Sequence, residues 1–394
     1  MRSLYIDVSH IMGWRGNLTG IERVEFNIIN HYFNNTDANF IRWDSGVLCF
    51  VSVDRTVVRS QILSRTSEEE QSGSQPKNTT VRRIKYNLTS RLRPTSGISI
   101  KGHTLVVLVG LWDSQDYIDG LIALSRENEL VHVVYDMIPL VVKGYVVDFM
   151  PPIFENYFYN VLPVCKGVMA ISRSSANDTI NILKKRNLVV PKIYSFTLGD
   201  DIVRAKKDIK PSGINGDFML SVGTVEARKN HLLLYYAYKS LLQQGVDLPL
   251  LVIVGRKGWL TKDLCYILEH DEDVRGKIVV KETITDAELS WLYKNCLFTV
   301  FPSFYEGWGL PIAESLSYGK VTLSSNTSSL TEAGLDMADY FSPFSTDELK
   351  LLISTYLDKT NRSSREKSIS VSYKPKNWKD AATEFADKVD TIVS

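Results

Sequence analysis

Apolar and polar positions follow two rhythms along this chain, short apolar runs and longer helical stripes. In the first half, apolar runs at residues 4–8, 47–53, 105–109, 131–135 and 168–171 have the length of strands. Between them lie helical patterns: Ile21, Val24, Ile28 and Phe33 share one stripe, and residues 174–185 read as a second helix. The second half repeats the scheme, with runs at 218–222, 250–254, 278–280, 297–301 and 321–324, each followed by a stretch of helix length. Such alternation predicts parallel sheets with helices on both faces. Two units of this kind predict an α/β chain of two doubly wound, Rossmann-like domains, with a ligand crevice at the strand carboxyl ends.

The polar stretch 206–216, which contains Pro211, Gly213 and Gly216, reads as the linker. The expected organisation is therefore residues 1–205, residues 206–375, and a terminal segment 376–394. Its amphipathic part, 378–393, reads as a helix packing back on the first domain. Segment 60–103 interrupts the alternation as an insertion. Residues 64–76 are polar and rich in Ser and Gly, the composition of a mobile loop. Residues 77–101 carry Lys77, Arg82, Arg83, Lys85, Arg91, Arg93 and Lys101 with no acid, while Val81, Ile84, Leu88 and Leu92 share one stripe. A basic amphipathic helix either lies on an anionic membrane surface or covers its own domain as a solvated helix. Both readings stay open.

A length of 394 residues suits two cores rather than one. The net charge of +1 gives no reason to expect nucleic acid as a partner. Cys49, Cys165, Cys265 and Cys296 lack any paired spacing for zinc or redox chemistry and read as reduced thiols. The chain opens on a strand rather than a leader, and its most apolar run, 105–112, falls far short of the roughly 20 residues that span a bilayer. A cytoplasmic protein is expected, at most peripheral on the inner face of the cell membrane.

Chemistry concentrates in residues 303–319, where a glycine-flanked turn after a strand opens a helix. Gly307 and Gly309 let backbone approach a ligand, and Pro311 suits a helix start. The amides and dipole there favour an anion such as phosphate. Two acids, Glu306 and Glu314, flank the turn. On one continuous helix they would sit about 80° apart. With Pro311 between them they need not work as an acid–base pair, so glycosidase-like use is the weaker reading. At the end of strand 218–222 follow Gly223, Thr224, Arg228 and Lys229, two adjacent cations able to clamp a diphosphate. No Asp-x-Asp stands out, and no metal or other cofactor is expected. The lack of a Gly-x-Gly-x-x-Gly after any strand disfavours a nicotinamide dehydrogenase.

These residues resemble the retaining glycosyltransferases of family 4, of GT-B fold. Residues 226–231, Glu-Ala-Arg-Lys-Asn-His, are similar to that family's E-x-R-K-N stretch. Residues 302–314 are similar to its P-S-x-x-E-G-F-G-L-P-x-x-E motif, and Thr19-Gly20-Ile21-Glu22-Arg23 resembles a T-G-I-x-R segment of its bacterial polysaccharide members. The resemblance implies that the second domain binds the nucleotide sugar and the first the acceptor. Arg228 and Lys229 would hold the donor diphosphate, Glu314 the ribose, and Glu306 the sugar ring. Gly307, Trp308, Gly309 and Leu310 would line the donor, Ile284 the base, and Gly20 a loop closing over the diphosphate. Where members often have His-Asp this chain has Tyr135-Asp136, which removes a catalytic His; Asp136 lines the cleft or serves the turn before Pro139. Ser172, Arg173 and Arg23 are further candidates for the cleft or acceptor.

The implied activity is transfer of a hexose, with mannose from GDP-mannose favoured, to a lipid-linked or oligosaccharide acceptor of surface polysaccharide. A sugar-nucleotide epimerase of the same architecture is the alternative enzyme, and epimer formed from donor alone would identify it. A non-catalytic nucleotide- or glycan-binding protein is the third reading, which the four charged residues disfavour and absence of turnover would support.

Overall fold

The computed structural model describes residues 2–394 apart from 17, 19, 64–96, 99 and 201–206. Thr19 and nearly all of the basic segment 77–101 thus lie outside the described residues. Two sheets carry the architecture. The first has seven strands, β1 (Leu4–Asp7), β2 (Asn39–Asp44), β3 (Cys49–Val53), β4 (Thr104–Val107), β5 (Glu129–Val134), β6 (Gly167–Ala170) and β7 (Lys192–Ser195), ordered β3-β2-β1-β4-β5-β6-β7. The second has six, β8 (Phe218–Val222), β9 (Leu250–Val254), β10 (Ile278–Lys281), β11 (Thr299–Phe301), β12 (Thr322–Ser325) and β13 (Asp339–Phe341), ordered β10-β9-β8-β11-β12-β13.

The second sheet is parallel throughout. The first departs from the expected parallel pattern at one edge, where β3 pairs antiparallel to β2. The reason is local: residues 45–48 are too few for a crossover, and Leu48 at φ 50° completes a tight reversal. Strands β2, β7 and β13 were not legible as separate apolar runs. The central strands β4 and β6 are buried on both faces, which accounts for their continuous apolar character.

Strand order reverses between β1 and β4 in one sheet and between β8 and β11 in the other. Ligand crevices form at such switch points, beyond the strand carboxyl ends. The two crevices face each other. One apolar layer runs between them: Trp308, Ile312, Leu316 and Leu330 from the second domain pack in the same cluster as Val8, Val109, Tyr135 and Ile171 from the first. The helix Trp378–Val393 lies on the first domain, with the Phe385 ring against Tyr32 and Phe196. Ile392 packs so closely on Gly167 that a Cβ there would come within 2.5 Å. All four cysteines are free, Cys165 and Cys296 in the interior.

Candidate active site

The site grows from two turns of the second domain. After β8, residues 227–229 make a single 3-10 turn that places Arg228 and Lys229 beside the strand end, and Asn230 closes it at φ 56°. After β11, the chain turns through Gly309 (φ 127°) into the helix Leu310–Ser317, with Pro311 in its first turn. Glu314 sits one turn into that helix rather than at its start. A narrow cleft opens between the turns, lined by Lys229, His231, Ser303, Glu306, Gly309 and Pro311.

Glu306 is the hub of this cleft. Its Oε1 accepts from Lys229 Nζ at 2.5 Å and from the Ser303 hydroxyl at 2.7 Å, and its Oε2 lies 2.7 Å from Arg228 Nη1. Burial opposes its charge, but the two cations override that cost and hold its carboxyl at about 2. Arg228 also meets Glu226 at 2.5 Å and donates to the Tyr305 carbonyl at 2.5 Å. Burial works against its charge too, yet Glu306 and Glu226 keep its pKa above the ordinary value. Within this group two cations therefore face two carboxylates. Any anion entering here would have to take over donors held by Glu306. Beside Lys229, burial and the neighbouring ammonium push His231 down to about 3, so it is neutral near pH 7.

Glu314 is held from both sides. Tyr293, fully buried, donates its hydroxyl to Oε2 at 2.9 Å, and Arg23 of the first domain reaches Oε1 at 3.0 Å. Arg23 stands in the first turn of the helix Ile21–Asn35, which Gly20 opens at φ 47°. Gly20 itself is exposed.

The first domain's other candidates divide. Asp136 lies against the turn: a Cβ on Gly307 would fall 3.0 Å from the Asp136 Cβ and 2.6 Å from the Tyr135 carbonyl oxygen. Burial raises its pKa, and one oxygen accepts from the Ile138 amide at 2.9 Å. It therefore both serves the turn before Pro139 and borders the cleft. Ser172 is spent on capping the helix Arg173–Lys185 through Ser175 N–H. Arg173 is exposed, and its amide and that of Ser174 donate to the Glu332 carboxylate across the interface, at 2.9 and 2.7 Å. Trp308 is buried in the shared apolar layer, Leu310 packs at its edge, and Ile284 packs beside β8 and β9. Gly223 lets Lys229 lie over the strand end, 3.3 Å from where a Cβ would be, while Thr224 is exposed. Sequence reasoning did not anticipate Tyr293, Ser303 or Glu332. Ser303 stood within the motif itself, but Tyr293 and Glu332 carry no local signal.

Among the described residues no group of three His, Cys, Asp or Glu side chains is arranged to hold a metal ion, and no helix is long and apolar enough to cross a membrane.

Two doubly wound domains facing each other across a cleft, with the charged groups at the switch point of the second, define a GT-B protein. Residues 204–369 match the family model Glycosyl transferases group 1. The chain is similar to bacterial surface-polysaccharide mannosyltransferases. Serotype-specific mannosyltransferase WbdA of Escherichia coli is 30% identical over 232 residues, 56% of this chain and 28% of that one. O-antigen chain mannosyltransferase B of Escherichia coli is 37% identical over 116 residues, 29% of this chain and 30% of that one. The match thus spans less than a third of each curated relative's length. Among solved structures, Anabaena Alr3699/HepE in complex with UDP superposes with a TM-score of 0.61 at 13% identity, covering 99% of this chain and 100% of that one. WaaG, a glycosyltransferase involved in lipopolysaccharide biosynthesis, gives 0.62 at 13% identity, covering 98% of both chains. These structural likenesses establish the fold.

Proposed function

We propose that this chain is a retaining glycosyltransferase that moves a hexose from a nucleotide sugar to a lipid-linked or oligosaccharide acceptor in bacterial surface-polysaccharide synthesis. One observation carries the reading: Arg228 and Lys229 converge on one point, now filled by the Glu306 carboxylate, at a strand end beside a helix start. That point suits a diphosphate, with Glu314 positioned to accept from ribose hydroxyls. Glu306, displaced from the cations, is free to meet the hydroxyls of the sugar.

In this scheme the acceptor oxygen bonds to the anomeric carbon as its bond to the diphosphate oxygen breaks. Attack and departure on one face retain the configuration, and the acceptor's proton leaves with the nucleoside diphosphate. Charge on that leaving group is met by Arg228, Lys229 and the helix amides, the electrostatic stabilisation this chemistry needs most. The same cations do the work a divalent metal does elsewhere, so no metal is invoked. The mannosyltransferase relatives and the Thr-Gly-Ile-x-Arg segment favour GDP-mannose as donor.

A thermal-shift screen with GDP, UDP, dTDP and CDP tests the reading, since a ligand that binds the folded state raises its melting temperature. A shift confined to GDP supports the donor assignment; a shift with UDP alone redirects it. No shift with any nucleotide sinks the transferase reading.

A further inference from the structure

The turn that presents the cations also organises aromatic side chains from both domains. Ala227 N–H donates to the Trp259 carbonyl at 3.3 Å, and Trp259 Nε1 donates to the Tyr145 carbonyl of the first domain at 3.0 Å. Phe304 N–H donates to the Arg228 carbonyl at 2.9 Å. Asn230, buried directly after Lys229, donates from its amide nitrogen to two carbonyls, Pro302 at 3.0 Å and Pro343 at 2.9 Å. One buried amide thereby sets both loops, the one that carries Phe304 and the one that carries Phe344.

The rings form a stack. Tyr145 and Phe304 lie 4.6 Å apart at 24°, and Phe304 and Phe344 lie 5.3 Å apart at 37°. The stack ends on Phe344, which is 79% exposed. A large apolar ring left in water at the end of an ordered stack, on a loop fixed by a doubly used buried amide, is a built feature rather than a stray surface residue.

We propose that the outer face of Phe344 is a subsite for a pyranose ring of the acceptor glycan, beyond the sugar that reacts. A pyranose offers a face of polarised C–H bonds to the electron-rich face of an aromatic ring while its hydroxyls stay in water. Position favours this occupant, because the stack is continuous with the Arg228 turn where transfer is proposed. The assignment deepens the transferase reading and rests on it.

The test uses the full chain, the donor selected by the nucleotide screen, and methyl α-mannoside and α-mannotetraose as acceptors. Phe344→Ala removes an exposed ring, so folding is not at stake. The KM for the tetrasaccharide should rise about 3- to 10-fold, with kcat and the monosaccharide KM unchanged, and Phe344→Trp should restore it. An unchanged tetrasaccharide KM overturns the subsite. If neither mannoside is a substrate, saturation-transfer NMR with mannotetraose decides by binding alone. Transfer in the wild type that is lost in Phe344→Ala supports the subsite. Absence in the wild type, or persistence in the variant, overturns it. Failure of the transferase reading itself would show separately, as the lack of any nucleotide shift.

Discussion

Arg23 and Glu314 lie 291 positions apart in the chain and meet at 3.0 Å across the cleft, joining the helix Ile21–Asn35 to the helix Leu310–Ser317. The carboxylate proposed to hold the ribose is thus paired with a cation of the opposite domain. A nucleotide has to displace Arg23 from Oε1, since Tyr293 holds Oε2. The pair is partly exposed, so it contributes up to about 1 kcal/mol. Arg23→Ala should therefore bind the nucleoside diphosphate a fewfold more tightly by calorimetry. Weaker binding would show instead that Arg23 touches the nucleotide.

Lys229→Ala deletes one of the two cations proposed to hold the diphosphate. Loss of one transition-state donor costs on the order of 10²–10³ in kcat. Lys229 is partly exposed at the cleft, so the circular dichroism spectrum should stay native while turnover collapses. Near-normal turnover would refute the clamp.

Gly307 packs directly against the first domain. Because a Cβ there meets the Tyr135 backbone oxygen at 2.6 Å, the neighbour cannot yield by changing a rotamer. Gly307→Ala should hold the domains apart and misplace the reacting groups, with kcat falling on the order of 10²-fold. Nucleotide affinity, a property of the second domain, should persist. Equal loss of both would mean that the turn itself had collapsed.

Two carboxyls predict opposite pH behaviour. Glu306, held at about 2 against an ordinary value of 4.5, contributes stability above pH 4.5 that is lost as pH falls toward 2. Glu306→Gln should flatten that acid limb in urea midpoints and cost on the order of 3 kcal/mol at pH 7, because Arg228 loses one of its two carboxylate partners and Lys229 loses its own.

Asp178 is pushed up to about 6, first by burial and then by Asp136, and accepts from the Tyr305 hydroxyl across the interface. Its stabilising contribution is complete below pH 4 and is lost as pH rises through 6. Asp178→Asn should therefore remove a decline in stability between pH 4 and 6. A decline that survives the substitution assigns it to another group.

Local periodicity was enough to read most of the core strands, since a buried parallel strand is a continuous apolar run whatever surrounds it. It missed the edge strands β7 and β13, whose residues are mostly only partly buried, and β2, whose apolar residues are broken by Arg42, and with β2 the antiparallel pairing of β3. The cations, the glycine turn and both glutamates were legible because they sit within short motifs whose spacing is local.

What those residues do to one another was not legible. Glu306 lies 77 positions from Lys229, and only folding brings the pair to 2.5 Å and makes this carboxylate the counter-ion of both cations. Tyr293, Arg23, Glu332 and the Tyr145–Phe304–Phe344 stack likewise depend on packing between elements and between domains. Sequence by itself determined the two doubly wound units and the chemistry of their loops, because period and turn composition are local properties. Tertiary structure alone decided which charge faces which, because pairing follows from the closure of the cleft and leaves no trace in local pattern.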